Sequence, residues 1–277
     1  MCVTAFYMNP DSKGGFRFII AFNRDEFFNR PTKTADFWAE NPDVISSVDM
    51  TTGKEGGTWL GMSKKGRLAF ILNIFSPDGI REDAKGRGAL VSNFLTGEMS
   101  AKDYLTELVP DGENYNGFNL FAVDLKSGEV GYYSNKSASP PQILQPGVYG
   151  VSNSTIEKPW PKASHLKGSL EDFLANSSEG DAEDVAERLH QALRQTTLLN
   201  GEEFSYKPGM TIEEMRAVLP QMLHVKSPFY GTRTSTVIVV GAKGDVLYSE
   251  KSIEEPVDGL NPKWTSKTHK FQLSCSL

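Results

Sequence analysis

The second residue is a cysteine, one of only two in the 277-residue chain; the other is Cys275. Methionine is normally trimmed ahead of a small residue. Trimming would leave Cys2 with a thiol and a free α-amine on one carbon. The amine has an ordinary pKa of about 7.7–8.0 and the thiol about 8.5, so the amine can accept the thiol proton near neutral pH. Such a nucleophile needs no histidine. The four histidines, His165, His190, His224 and His269, show no pairing with a cysteine and no metal-ligand spacing. They are expected in surface-like contexts, structural or exposed, and no metal site is expected. Alone, Cys2 also reads as a small buried hydrophobe.

Its company points towards chemistry. Asn23, Arg24, Asp25 and Glu26 directly follow the apolar run "FRFIIAF". Four polar residues at that place need partners, because a buried unpaired charge is costly. An aspartate such as Asp25 would hold and orient an N-terminal ammonium. The structural alternative is an Arg24–Asp25 ion pair with Glu26 capping the next segment. Asn73 ends the apolar run of "RLAFILN", and Asn153 ends "YGVSN". Asparagine amides at strand ends suit an oxyanion. Arg233, in "YGTRTST", precedes the most apolar strand. An arginine there lowers a thiol pKa or anchors a carboxylate. Trp38, Trp59 and Trp160 are candidates for lining an apolar cleft, or for packing in the core.

The elements that must position these residues are mostly strands. "CVTAFYM" and "FRFIIAF" are rich in β-formers and separated by the turn residues "PDSKGG", so they read as a hairpin with the NRDE quartet at its end. Pro31 stops any helix from running through "NRDEFFNRP". "GKEGGTWLGMS" with "GRLAFILNIF", and "STVIVVGAKGDVLYSE", read as further hairpins. "FNLFAVDL", "EVGYYSN", "GVYGVSN" and "HKFQLS" read as strands. "GRGALVSNFLTG", closed by Gly97, and "SAKDYLTELV", opened by Ser100, have helical spacing. So do "PWPKASHLKGSLEDFLA", "GDAEDVAERLHQALRQT" and "TIEEMRAVLPQML", the last as one helix or two short ones. The acidic stretch "EGDAEDVAE" is expected to be a solvated helix face. Strands and helices are segregated and the strands join as hairpins. The predicted fold class is therefore α+β, a four-layer αββα sandwich of mostly antiparallel sheets, as one domain over residues 1–277.

Composition narrows the function. The formal charge of −6 argues against nucleic-acid binding, which needs a basic footprint. No run approaches the roughly 18 apolar residues of a membrane span. No secretory signal is visible, so a cytoplasmic, non-secreted protein is expected. Two cysteines make no disulfide framework.

The stretches "MC", "NRDEFFNRP", "GKEGGTWLG", "LNIF", "GRGALVSNFL", "YNGFNL", "YGVSNS", "PW", "YGTRTSTVIVV" and "FQL" resemble the transport and Golgi organisation 2, or NRDE, family over essentially the whole chain. That family in turn resembles the cysteine N-terminal-nucleophile (Ntn) hydrolases, whose fold is an αββα sandwich. The resemblance implies Cys2 as nucleophile, Asp25 positioning its amine, Asn73 and Asn153 at the oxyanion, and Arg233 supporting the thiolate. Asn23, Arg24, Glu26 and Trp59 become candidate ligand-binding residues. The hydrolases carry an arginine just before the asparagine at the end of the second strand. Here Phe22 precedes Asn23, so Arg24 acts from a shifted position or the role is lost. The resemblance further implies handling of a small molecule in haem mobilisation and in lipid and Golgi membrane homeostasis. Haem would be cargo, since no cofactor is required. The alternatives are a Cys2-dependent hydrolase of a small acyl amide or thioester, and a non-catalytic interaction protein. Peripheral membrane association, at the mitochondrion or Golgi, is left open.

Overall fold

Val3–Met8 (β1) and Phe16–Phe27 (β2) pair as an antiparallel hairpin, with Val3 opposite Asn23 and Met8 opposite Phe18. The structure, a computed structural model, describes every residue except 78, 177–180, 203, 205, 208, 209, 260 and 276, and leaves aside the side chains of 212, 213 and 216. Among the described residues the hairpin sits inside a sheet of six strands. Its order is β10 (Gly147–Val151), β1, β2, β11 (Tyr230–Gly241), β12 (Asp245–Ile253) and β13 (Trp264–Gln272). A second sheet of seven runs β3 (Thr32–Phe37), β4 (Val44–Asp49), β5 (Leu60–Ser63), β6 (Arg67–Asn73), β7 (Phe118–Asp124), β8 (Glu129–Ser134) and β9 (Gln142–Ile143). All these strand pairs are antiparallel.

Strand alternation decides which side chains meet. On β2, Phe18, Ile20 and Phe22 point between the sheets, where they join Phe6, Phe70 and Phe121. Ile19 and Ala21 point the other way, onto Leu166, Leu170 and Leu189 of the helices. Those helices are α3 (Pro161–Asn176) and α4 (Ala182–Leu193), which cover the first sheet. The helices α1 (Gly88–Thr96) and α2 (Ala101–Leu108) cover the second. The layers are therefore α, β, β, α, as the sequence predicts. A short helix, α5 (Ile212–Val218), carries a capping box from Thr211 and Glu214. No helix among the described residues is long and apolar enough to cross a membrane.

The predicted caps are present. Ser100 Oγ accepts from Asp103 N at 3.1 Å, and Gly97 N donates to Asn93 O at 2.9 Å. Two expectations change and one alternative is decided. β2 runs to Phe27, so the NRDE quartet lies within the strand and not after it. "TIEEMRAVLPQML" divides into α5 and a 3-10 turn at Leu219–Gln221, where Pro220 stops the α-helix. His190 is buried and His224 half-buried rather than exposed at the surface. The first two residues of the acidic stretch, 179 and 180, lie outside the described residues.

Gly150 of β10 sets the distance between the sheet and α3. A Cβ there would lie 2.2 Å from the Ala163 carbonyl oxygen. Backbone cannot yield as a side-chain tip can, so Gly150→Ala is expected to destabilise the fold by about 1–3 kcal/mol. The urea midpoint measures it; an unchanged midpoint would show that α3 floats on the sheet.

Candidate active site

The hairpin register, extended by one residue, sets Cys2 opposite Arg24. Both lie on the face between the sheets, and Asn23 and Asp25 lie on the helix-facing side. Alternation thus splits the quartet into two pairs that never meet. The alternative of an Arg24–Asp25 ion pair is excluded by this geometry.

On the helix side, Asn23 is a structural tie. Its Nδ2 donates to the carbonyls of Leu193, at the end of α4, and Leu223, both at 2.8 Å. Its Oδ1 accepts from Ser235 Oγ at 2.5 Å. Every hydrogen-bonding position of that buried amide that these partners reach is engaged in joining three segments. Asn23→Ala is expected to cost about 2–4 kcal/mol, since two buried carbonyls and a hydroxyl lose their partner at once. Thermal denaturation checks it, and a loss below 1 kcal/mol would sink the assignment.

Asp25 is the centre of a buried charge cluster. One carboxylate oxygen accepts from Thr232 Oγ1 at 2.6 Å. The other, Oδ2, is 3.5 Å from the α-ammonium of Met1 and 4.0 Å from Lys162 Nζ. Lys162, in the first turn of α3, is fully buried and also donates to the Met1 carbonyl. Burial pushes the Met1 amine below its ordinary pKa, with Asp25 pulling the other way. Burial likewise pushes Lys162 down.

On the other face, Cys2 is 9% exposed and its thiol lies 4.0 Å from the Asp25 carbonyl oxygen. Burial raises its pKa; the neighbouring amine and, more weakly, Arg24 act to lower it. The Arg24 guanidinium stacks on the ring of Trp59 at 4.0 Å and donates to Thr32 Oγ1 at 3.0 Å. Burial pushes Arg24 down to about 10. Glu26, 3.8 Å from Arg24, accepts from Arg30 at 2.8 Å. Burial raises its carboxyl, but Arg24 and Arg30 together hold it below the usual range. Trp59 therefore packs in the core and carries the guanidinium that faces the thiol.

The same end of β1, on its β10 side, is closed by residues 152 and 153. Ser152 Oγ donates to the Cys2 carbonyl at 2.8 Å. Asn153 Nδ2 donates to the backbone carbonyl of Asn73 at 2.7 Å, stitching the ends of β10 and β6 together. Asn73 and Asn153 are thus adjacent, and one N–H of the Asn153 amide is engaged in the stitch. Asn73 is exposed.

Arg233 stands elsewhere. A bulge in β11 between Thr232 and Thr234 re-aims it. Its NH1 donates to the carbonyls of Phe28 at 3.1 Å and Arg30 at 2.5 Å, and its NH2 meets Glu255. The cation facing Cys2 is Arg24, from the shifted position, and Arg233 holds the turn that follows β2. Sequence reasoning missed Lys162, Thr232, Ser152 and Arg87. Arg87 donates to the Gly117 carbonyl at 2.7 Å and is pushed down to about 10 by burial, with Arg30 adding to the effect. The "PW" ahead of Pro161 and the threonines around Arg233 were the signals available.

Two facing antiparallel sheets between helices, with the chain start on a central strand, define an Ntn-hydrolase-like fold. Among solved structures the chain is similar to the N-acylethanolamine-hydrolyzing acid amidase ortholog of Caenorhabditis elegans. The TM-score is 0.50 at 10% identity, covering 86% of this chain and 92% of that one, a likeness of fold alone. A family model described as Transport and Golgi organisation 2 matches residues 1–255. The chain is 39% identical over 284 residues to the Transport and Golgi organization protein 2 homolog of Bos taurus and 38% over 285 residues to that of Homo sapiens. Each alignment covers 99% of this chain and 99% of the relative. The chain belongs to the Transport and Golgi organisation 2 family.

Proposed function

We propose that this protein acts on a small acyl compound, an amide or a thioester, through Cys2 as an N-terminal nucleophile. One observation carries the reading: Asp25 lies 3.5 Å from the Met1 amine, at the place where trimming would leave the Cys2 α-amine, beside a buried thiol opposite Arg24. With Met1 removed, the α-amine belongs to Cys2 itself. Sγ then attacks the acyl carbonyl carbon and its proton passes to the amine. The adduct collapses as that proton moves to the leaving nitrogen or sulfur, which departs and leaves a Cys2 thioester. Water, deprotonated by the same amine, attacks the thioester and releases the acid and the thiol.

A second reading is a carrier that holds haem or a lipid. It is favoured by the engagement of Arg233 in backbone bonds, which takes it away from the thiolate, and of one Asn153 N–H in a bond to the Asn73 carbonyl. It is also favoured by an apolar recess of about 580 Å³ at the end of β2, walled by Phe27, Phe28, Pro31, Phe229 and Pro256. The word Golgi in the family's description is the ground for including Golgi membranes in a localisation experiment.

The test is a panel of N-acyl and acyl-thioester compounds with protein whose intact mass shows Met1 removed. Turnover that falls at least a hundredfold in Cys2→Ser supports the hydrolase. No turnover of any compound, with haem bound and the visible spectrum shifted, supports the carrier; Cys2→Ala then reports whether the thiolate is a ligand.

A further inference from the structure

We propose that Lys162 is a positioning residue of this site, supplying the buried counter-charge of Asp25 so that the neighbouring α-amine stays neutral and able to take the Cys2 proton. The inference rests on the Cys2 reading above. It begins from the oddity of Lys162 itself. The residue is 0% exposed and sits in the first turn of α3. That is the positive end of a helix, where a cation is disfavoured. Burying an ammonium costs several kcal/mol unless it is well paired. The Met1 carbonyl and the ring of Trp160, 5.9 Å from Nζ, are neutral, so the charge needs a charged partner.

That partner is Asp25 Oδ2, which is buried, makes no hydrogen bond, and has Lys162 Nζ at 4.0 Å and, at 3.5 Å, the amine of Met1, one residue ahead of the nitrogen that trimming would free. Two basic nitrogens share one carboxylate in a site closed to water. One negative charge balances one proton, so the two nitrogens compete for it. The ordinary pKa of a lysine is about 10.4 and that of an α-amine about 7.7–8.0, so the lysine keeps the proton. Removing Met1 sharpens the competition. It deletes the carbonyl to which Lys162 now donates, and the Asp25 carboxylate is the partner left within reach.

The other charged groups around the cluster do not upset this balance. From the opposite face of β1 and β2, Cys2 and Glu26 act on the amine through the strand, and Glu26 is matched to Arg24 and Arg30. His224, which precedes β11, is pushed down by burial and adds no cation near neutral pH. Thr232 is neutral and occupies the other oxygen of Asp25.

The experiment uses full-length protein labelled with [¹³C]cysteine, its processing confirmed by intact mass. Two cysteines give two sets of signals, and Cys275 is the internal reference. The Cys2 Cα shift is followed against pH. In Lys162→Met the amine becomes the sole cation for Asp25, so its midpoint is expected to rise by about 1 pH unit or more, a tenfold gain in proton affinity. Lys162→Gln, which keeps a donor but no charge, is expected to do the same and serves if the methionine variant does not fold. Lys162→Arg keeps the charge and is expected to stay within about 0.3 pH units of the parent. A merely structural lysine would lower stability and leave the midpoint in place. A midpoint unmoved or lowered in the uncharged variants overturns the inference while leaving the Cys2 reading standing. A parent chain that retains Met1 overturns both.

Discussion

Asp25→Ala is expected to destabilise the protein by about 3–5 kcal/mol, the range for a buried ion pair broken from one side. The size follows from what is left behind. Thr232 loses an acceptor at 2.6 Å, and its own Oγ1 accepts from Val225 N at 2.9 Å, so the loss reaches the segment ahead of β11. The chain-start amine loses its neighbour but strands no charge, because burial pushes its pKa down and Lys162 holds the shared proton. Lys162 resists most, since its ordinary pKa is higher and no water reaches it. Asp25→Asn separates charge from shape, keeping a side-chain oxygen for Thr232. Combining it with Lys162→Met removes both charges. That double variant is expected to be more stable than the sum of the single losses by roughly 1–3 kcal/mol, because the two sites share one interaction. Urea denaturation of the four proteins measures the coupling. Strict additivity would mean that the carboxylate and the ammonium, 4.0 Å apart, do not communicate.

Some of this architecture is legible in the sequence and some is not, for physical reasons. The hairpins β1–β2 and β11–β12 are legible because turn residues separate runs of β-formers. β3 and β4 are not. Their strands, "TKTADF" and "VISSVD", mix small polar residues with apolar ones, and what buries them lies far away in sequence. Ser47 Oγ and the Ala35 amide both donate to Glu250 of β12, at 2.5 and 2.8 Å. Periodicity cannot register a partner 200 residues distant. The NRDE quartet stands out as polar residues at the end of an apolar run, but only the register distributes them over two faces. Arg233 is conspicuous in sequence and is re-aimed by a bulge that no spacing announces. Lys162 is the least legible. In the first turn of a helix it reads as a solvated residue, and it is buried because Gly150 brings α3 within contact of the sheet.

The helix layer that carries Lys162 and receives Asn23 is also expected to be the acid-sensitive part of the fold. His190 of α4 is 1% exposed, its Nε2 lies 3.0 Å from Ser249 Oγ, and its Nδ1 has no partner. Burial, with nearby Lys251 adding to it, pushes the imidazole down to about 3. The sign follows from proton counting. Between about pH 3 and the unfolded value of about 6.5, the unfolded chain binds a proton that the native chain refuses. Stability therefore falls as pH drops through that window, by roughly 5 kcal/mol in all at 1.36 kcal/mol per pH unit. His224, also pushed down by burial, adds to the loss in the same direction. Glu26 and Asp49, held low by their arginines against burial, lose their contribution only as they protonate, below the ordinary carboxylate range. Glu250 runs the opposite way. Burial raises its pKa, so its contribution is full below about pH 4.3 and is lost as pH rises through its folded value. Urea midpoints between pH 5 and 6.5 therefore see the histidines on a partly opposing carboxylate. In that interval His190→Gln is expected to reduce the slope of stability against pH, by about 1.3 kcal/mol per pH unit near pH 5 and about 0.7 at pH 6.5. An unchanged slope would mean that the ring titrates freely. The consequence reaches the site, because the Leu193 carbonyl that ends α4 is one of the two acceptors of Asn23. Acid that lifts α4 removes a tie from the strand that carries Arg24 and Asp25, so alkylation of Cys2 by a neutral reagent, corrected for thiolate fraction, is expected to quicken over the same pH interval in the parent and not in His190→Gln.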